Sequence, residues 1–221
     1  MYSDTIVVIT GQLNSMFVDN LIKSYVGIYH KLVSTWNDQD KYLLELLRLN
    51  NFKIVLSDYP EHKNSANVQI HATRMGALEA QRLGYRYVCH TRTDVFPLNY
   101  NKFLYSCADL YSEKLTILRY IQCVYFLQIL TIGPVDEILR FYNTLQEPSD
   151  TRFPEKYLME TYIGSRDLTK EDIKSHFNIC LDICRRDDIE FIWVRPESWA
   201  NGCTTIPMMK VIAEYSKDAE V

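Results

Sequence analysis

The chain has 221 residues, 47% of them apolar and 24% charged, with a formal net charge of −4. That length suits one domain with a sizeable core, and seven glycines and seven prolines leave no low-complexity linker. The negative balance and the lack of a long basic run exclude nonspecific nucleic-acid binding as the main task.

In chain order, Thr5–Ile9 is a continuous β-branched run, as expected of a strand buried on both faces, and it ends at Thr10-Gly11-Gln12. Phe17, Leu21 and Tyr25 recur at helical spacing. A second strand is expected over Gly27–Ser34, stopping at Thr35 to Asp38, with Asn37 or Asp38 capping a leucine-rich helix over Lys41–Leu49. Phe52–Leu56 reads as the third strand, ending at Ser57-Asp58. A long helix over Ala66–Leu83 follows, closed by Gly84. The fourth strand, Tyr85–His90, runs into Arg92-Thr93-Asp94.

Strands are next expected at Leu115–Tyr120 and Tyr125–Ile132, and a helix at Val135–Leu145. Pro148–Pro154 reads as a polar loop and Glu155–Ile163 as a helix with Pro154 in its first turn. Thr169-x-x-Asp172 reads as a capping box for a helix over Ile173–Cys184. A strand at Glu190–Val194 and a helix at Met208–Tyr215 complete the pattern. Alternating strands and helices with short connections predict an α/β fold with a mostly parallel open sheet flanked by helices, and an irregular C-terminal half. One domain is expected over 1–221, with a nucleotide-binding half at 1–97 and an acceptor-side half at 98–221.

No apolar stretch reaches the roughly 20 residues needed to span a membrane, and the first residues lack the pattern of a signal peptide. A cytoplasmic protein is therefore predicted, with peripheral membrane contact left open. Six cysteines without a C-x-x-C pair read as buried free thiols. Cys180 and Cys184 would share a helix face.

Ligands on open parallel sheets bind outside the carboxyl ends of the strands. Four polar strand ends converge there: Thr10-Gly11-Gln12, Thr35-Trp36-Asn37, Ser57-Asp58 and Arg92-Thr93-Asp94. Asp94 is the candidate ligand for Mn²⁺ or Mg²⁺, hard ions held by carboxylates together with substrate phosphates. Arg92 could pair with a phosphate or with Asp94. Asn67, His71 and Arg74 share one face of the long helix, so either Arg74 meets a ligand or the face is solvated. Asp58 could accept a hydrogen bond from a base or ribose. Thr10 and Gln12 could act similarly, with Gly11 admitting close backbone approach. His176 could add to a metal site. G-x-G-x-x-G, Walker A and G-x-S-x-G patterns are absent.

Val7–Gln12, Ser34–Trp36, Val55–Asp58, Asn67–Gly76, Thr91–Asp94, Leu130–Gly133 and Pro154–Leu158, in that order, resemble the WavE-type lipopolysaccharide-synthesis family, a group read as GT-A glycosyltransferases. The resemblance covers roughly residues 5 to 165 and implies a GT-A-like fold, a nucleotide-sugar donor such as a UDP-sugar, a glycan or glycoconjugate acceptor, and Mn²⁺ or Mg²⁺. Trp36 then joins the donor-binding positions, and Asp94 becomes the last carboxylate of a D-x-D motif whose first acidic position is Arg92. Relatives tend to carry an acid in the strand before Gly133, where this chain has Gln128. Inverting transfer needs a general base; Glu155 is the choice, with Asp150 and Glu160 as alternatives. A nucleotidyltransferase is disfavoured, because the glycine-rich basic loop it needs after the first strand is missing. A non-catalytic sugar- or partner-binding domain stays open.

Overall fold

The computed structural model describes residues 4–97, 113–119, 126–179, 191–193 and 206–207. Strands β1 (Thr5–Thr10), β2 (Lys31–Trp36), β3 (Lys53–Ser57) and β4 (Tyr87–Arg92) are mutually parallel. A second, three-stranded sheet joins β5 (Val95–Pro97), β9 (Phe191–Trp193) and β10 (Ile206–Pro207). In the main sheet, β7 (Phe126–Pro134) runs antiparallel to β4 and to β6 (Leu115–Arg119), and β8 (Phe177–Ile179) lies parallel to β6. Its seven strands follow the order β3-β2-β1-β4-β7-β6-β8. The sheet is thus mixed and mostly parallel, with helices on both faces, as expected of the α/β pattern.

The unbroken apolar run of β1 serves two cores, because alternate residues point to opposite faces. Val7 and Ile9 pack with α1 (Val18–Ser24) and α2 (Lys41–Leu49). Ile6 and Val8 pack under α3 (Ser65–Arg82), in a cluster shared with α4 (Val135–Phe141), α5 (Pro154–Ile163) and α6 (Lys170–His176). Each fully buried Val or Ile contributes about 1.5–3 kcal/mol, so these alternating contacts fix the register of the central strand.

Local chemistry sets the helix ends. Asp40, rather than Asn37 or Asp38, caps α2, its carboxylate accepting from Tyr42 N–H at 2.7 Å. Asn64 caps α3 by accepting from Asn67 N–H at 2.7 Å. Gly84 ends α3 as expected, at φ +81°, where its N–H donates to Gln81 O and Tyr85 N–H to Ala80 O, the paired bonds of a Schellman motif. The Thr169/Asp172 capping box is present.

Three expected elements are corrected. β2 starts at Lys31, not Gly27, because Gly27 sits at φ +84° just beyond α1 and the pairing with β1 begins at Val7 opposite Lys31. α4 stops at Phe141 instead of Leu145, and a loop from Tyr142 leads to α5. The helix expected over Ile173–Cys184 ends at His176, since Phe177 enters the sheet opposite Leu115 and is 2% exposed. Cys180 and Cys184, like the helix expected at Met208–Tyr215, lie outside the described residues.

Candidate active site

From β1, the parallel order runs through β2 to β3 on one side and to β4 on the other. The carboxyl ends of β1 and β4 therefore flank a switch point, the place where open α/β sheets form a ligand crevice. Thr10 stands opposite Arg92 in the register. A cleft of about 380 Å³ opens there, lined by Thr10, Gly11 and Gln12 from one strand end and Arg92, Thr93 and Asp94 from the other. Val68, Gln69 and Ala72 of α3 close one side, and Asn14 and Phe17 another. The volume falls within the usual range for small-molecule sites.

The turns at both strand ends are tied together. Thr93 N–H donates to Thr10 O at 3.0 Å, and the Thr93 hydroxyl donates to Gln12 O at 2.9 Å. Gly11 adopts φ +128°, and a Cβ there would lie 2.7 Å from the Thr93 hydroxyl oxygen. Only glycine lets these two turns approach so closely.

Arg92 binds Asp94 in a fork: Nε donates to Oδ1 at 2.8 Å and Nη2 to Oδ2 at 2.6 Å. Their side chains are 29% and 12% exposed, so the pair sits at the cleft wall partly out of water. The expected Mn²⁺ or Mg²⁺ ligand thus has both oxygens accepting from a permanent cation. Asp94 is also the single carboxylate among the described cleft-lining residues, and the described residues contain no group of three His, Cys, Asp or Glu able to hold a metal. A divalent ion seated on Asp94 would compete with the Arg92 guanidinium for the same two oxygens.

Behind the cleft lies a buried polar network that the sequence pattern does not reveal. His90 is fully buried, with Nε2 2.9 Å from the Thr10 hydroxyl and 3.1 Å from the Thr73 hydroxyl, and Nδ1 3.4 Å from the Tyr142 hydroxyl. The Thr73 hydroxyl donates to Gln69 O at 2.8 Å, so it offers His90 a lone pair. This assigns the proton to Nε2 and leaves Nδ1 to accept from Tyr142. Burial, with Arg92 adding to it, pushes the imidazole down to about 3, so it is neutral at physiological pH. The Thr10 hydroxyl is thus tied to the buried network while the residue lines the cleft.

The remaining expected positions separate. Trp36 is 1% exposed, stacked on Tyr59 at 4.3 Å with His71 near-parallel at 6.2 Å, and it does not line the cleft. Asp58 is exposed at the end of β3, accepting from Asn37 Nδ2 at 2.8 Å, and Arg74 is exposed on α3. Both act electrostatically on His71, and neither lines the cleft. Asn67 is not part of a solvated face: it is buried, donating to Gln146 O at 2.9 Å and accepting from Gln146 N–H at 2.6 Å. His176 ends α6 beside Ser175 and the Asp172 carbonyl, away from the cleft.

The three candidate bases differ in kind. Arg152 grips Asp150 through several hydrogen bonds and donates through Nη1 to Glu160 at 2.9 Å. Hydrogen bonds from Arg152 hold Asp150 well below the usual carboxylate range. Burial pushes Glu160 up, but Arg152, the Asp167 N–H and Lys156 outweigh it and leave it low. Both are committed to one ion-pair cluster and are poor bases. Glu155, half-buried at the start of α5, is pushed above its usual range by burial, against a hydrogen bond from its own N–H and the attraction of Arg92. Of the three it alone feels the charge of Arg92 and has raised proton affinity, although it does not itself line the cleft.

No family model matches this sequence, and no curated protein matches it. Among solved structures, the chain is similar to a mannose-1-phosphate geranyltransferase from Thermus thermophilus at 9% identity and a TM-score of 0.49, over 80% of this chain and 73% of that one. It is also similar to HddC from Yersinia pseudotuberculosis at 13% identity and 0.48, over 90% and 97%. A glycosyltransferase involved in glycosylation of the major capsid of PBCV-1 gives 10% and 0.46, over 80% and 81%. Likeness at this level establishes no chemistry.

Proposed function

We propose that this chain transfers a sugar from a nucleotide-sugar donor to a glycan hydroxyl, with the β1/β4 cleft as the donor site. The observation that carries this reading is the Arg92–Asp94 fork at the switch point, beside a Gly11 turn that admits close backbone approach. A guanidinium fixed in orientation beside a crevice suits a diphosphate leaving group, which carries developing negative charge in the transition state. The resemblance to WavE-type proteins supports the same class, with a UDP-linked donor and inversion as the favoured specifics.

In that reaction the acceptor oxygen attacks the anomeric carbon, and the bond from that carbon to the diphosphate oxygen breaks. The electron pair leaves with the nucleoside diphosphate, which Arg92 stabilises. The acceptor proton passes to Glu155, whose raised proton affinity makes it the better base.

The test is a panel of UDP-, GDP-, dTDP- and CMP-linked sugars with and without glycan acceptors, scored by release of free nucleotide. Turnover that disappears in Gly11→Val supports the reading. Binding without turnover for every donor and acceptor selects a non-catalytic sugar-binding domain instead, and absence of any nucleotide-sugar binding contradicts it.

A further inference from the structure

Resting on that reading of the cleft, we infer that the cation facing the donor diphosphate is Arg92 itself, clamped by Asp94, and that nucleotide binding here needs no divalent metal. A hard divalent ion beside a phosphate is held by one or two carboxylates, the phosphate oxygens and water, so here it would depend on Asp94 giving up its partner. Asp94 spends both oxygens on Arg92, at 2.8 and 2.6 Å, and no second carboxylate lines the described cleft. Seating an ion on Asp94 would break a two-bond, charge-assisted contact and bring two further positive charges against the guanidinium. Leaving the pair intact avoids both penalties and delivers a planar, permanently charged donor group to the crevice. Asp94 is then a positioning residue: it orients Arg92 rather than coordinating a metal.

The geometry also defines how metal dependence could be restored. Arg92 stands two residues before Asp94 at the end of β4. Arg92→Asp removes the clamp and supplies a second carboxylate at that spacing.

The experiment is calorimetric titration of the full chain with UDP and with GDP, in EDTA and in Mn²⁺, alongside electron paramagnetic resonance of added Mn²⁺. For the unaltered chain, affinity for the nucleotide that binds should agree within about threefold between EDTA and Mn²⁺, with no immobilised Mn²⁺ signal. Arg92→Gln should weaken that nucleotide in EDTA by about 10- to 100-fold. Arg92→Asp should bind nucleotide in Mn²⁺ only and immobilise Mn²⁺. Circular dichroism of each variant guards against misfolding. Binding that is strong in Mn²⁺ and lost in EDTA for the unaltered chain would overturn the inference while leaving the donor-site reading intact. No nucleotide binding in either condition would overturn both.

Discussion

His90 Nε2 lies 2.9 Å from the Thr10 hydroxyl, so the last residue of β1 is fastened to the adjacent strand directly behind the cleft. The imidazole is buried and neutral, lowered to about 3 by burial and then by Arg92. In the unfolded chain it titrates near its ordinary 6.5. Its contribution to stability is therefore fully present above that value and is lost as pH falls toward 3. Denaturant unfolding should show about 2–3 kcal/mol less stability at pH 4.5 than at pH 7 from this group. His90→Gln should abolish that part of the slope while leaving the slope from carboxylates.

Glu155→Gln separates chemistry from folding. The base must be ionised to accept a proton, and burial raises its proton affinity above the ordinary 4.5. The acid limb of kcat/KM should therefore lie above the usual carboxylate range. The variant should lose about 10²- to 10⁴-fold in turnover with nucleotide affinity retained. Because the folded state raises the affinity of Glu155 for a proton, its contribution to stability is present below the unfolded value and lost as pH rises through the folded value. Glu155→Gln should then raise the thermal midpoint at pH 7, which differential scanning calorimetry reads directly.

The central strand and α3 touch closely at Gly76, where a Cβ would lie 2.4 Å from Val8 Cγ1 and 3.2 Å from Ser34 Cβ. Gly76→Ala gains helix propensity but overpacks this contact. A net destabilisation of about 1–3 kcal/mol is expected from urea unfolding.

The Glu160 side chain is 1% exposed and depends on Arg152 at 2.9 Å and Lys156 at 3.6 Å. Arg152→Ala should cost about 1–3 kcal/mol, because Glu160 loses its strongest hydrogen-bonded partner but keeps Lys156 and the Asp167 N–H. Adding Glu160→Gln should recover part of that loss, a non-additivity that a double-mutant cycle measures.

Strands that read as unbroken apolar runs are the most legible part of the fold. β1 stands out because burial on both faces leaves Ile6 to Ile9 with no polar residue to confuse the period, whereas β4 is marked by Tyr87, Val88 and Cys89 ahead of the polar His90, Thr91 and Arg92. The start of β2 is harder to place, because Gly27, Ile28 and Tyr29 read as strand whereas Gly27 closes a turn. Lys31, at the true start of β2, is buried and donates to Tyr25 O at 3.2 Å, a partnership no window of sequence displays. The end of α6 is hidden for a similar reason: Phe177 fits helical spacing from Ile173, but its pairing with Leu115 comes from far along the chain.

The cleft itself is legible as a set of polar strand ends, and Thr10, Gly11, Gln12, Arg92 and Asp94 do converge. Their division of labour is not. Trp36 looks like a ligand position and Asn67 like part of a polar helix face until their partners, Tyr59 and Gln146, are in view. The His90–Tyr142 contact joins residues 52 apart, and local periodicity contains no signal for it.

Donor binding in the β1/β4 cleft is tested most directly by a crystal structure of the protein soaked with UDP or GDP, whichever binds. Phosphate oxygens should lie within hydrogen-bonding distance of Arg92, with the nucleotide running along the Gly11 turn. A nucleotide seated elsewhere, with Arg92 and Asp94 untouched, would contradict the assignment of the cleft as the donor site.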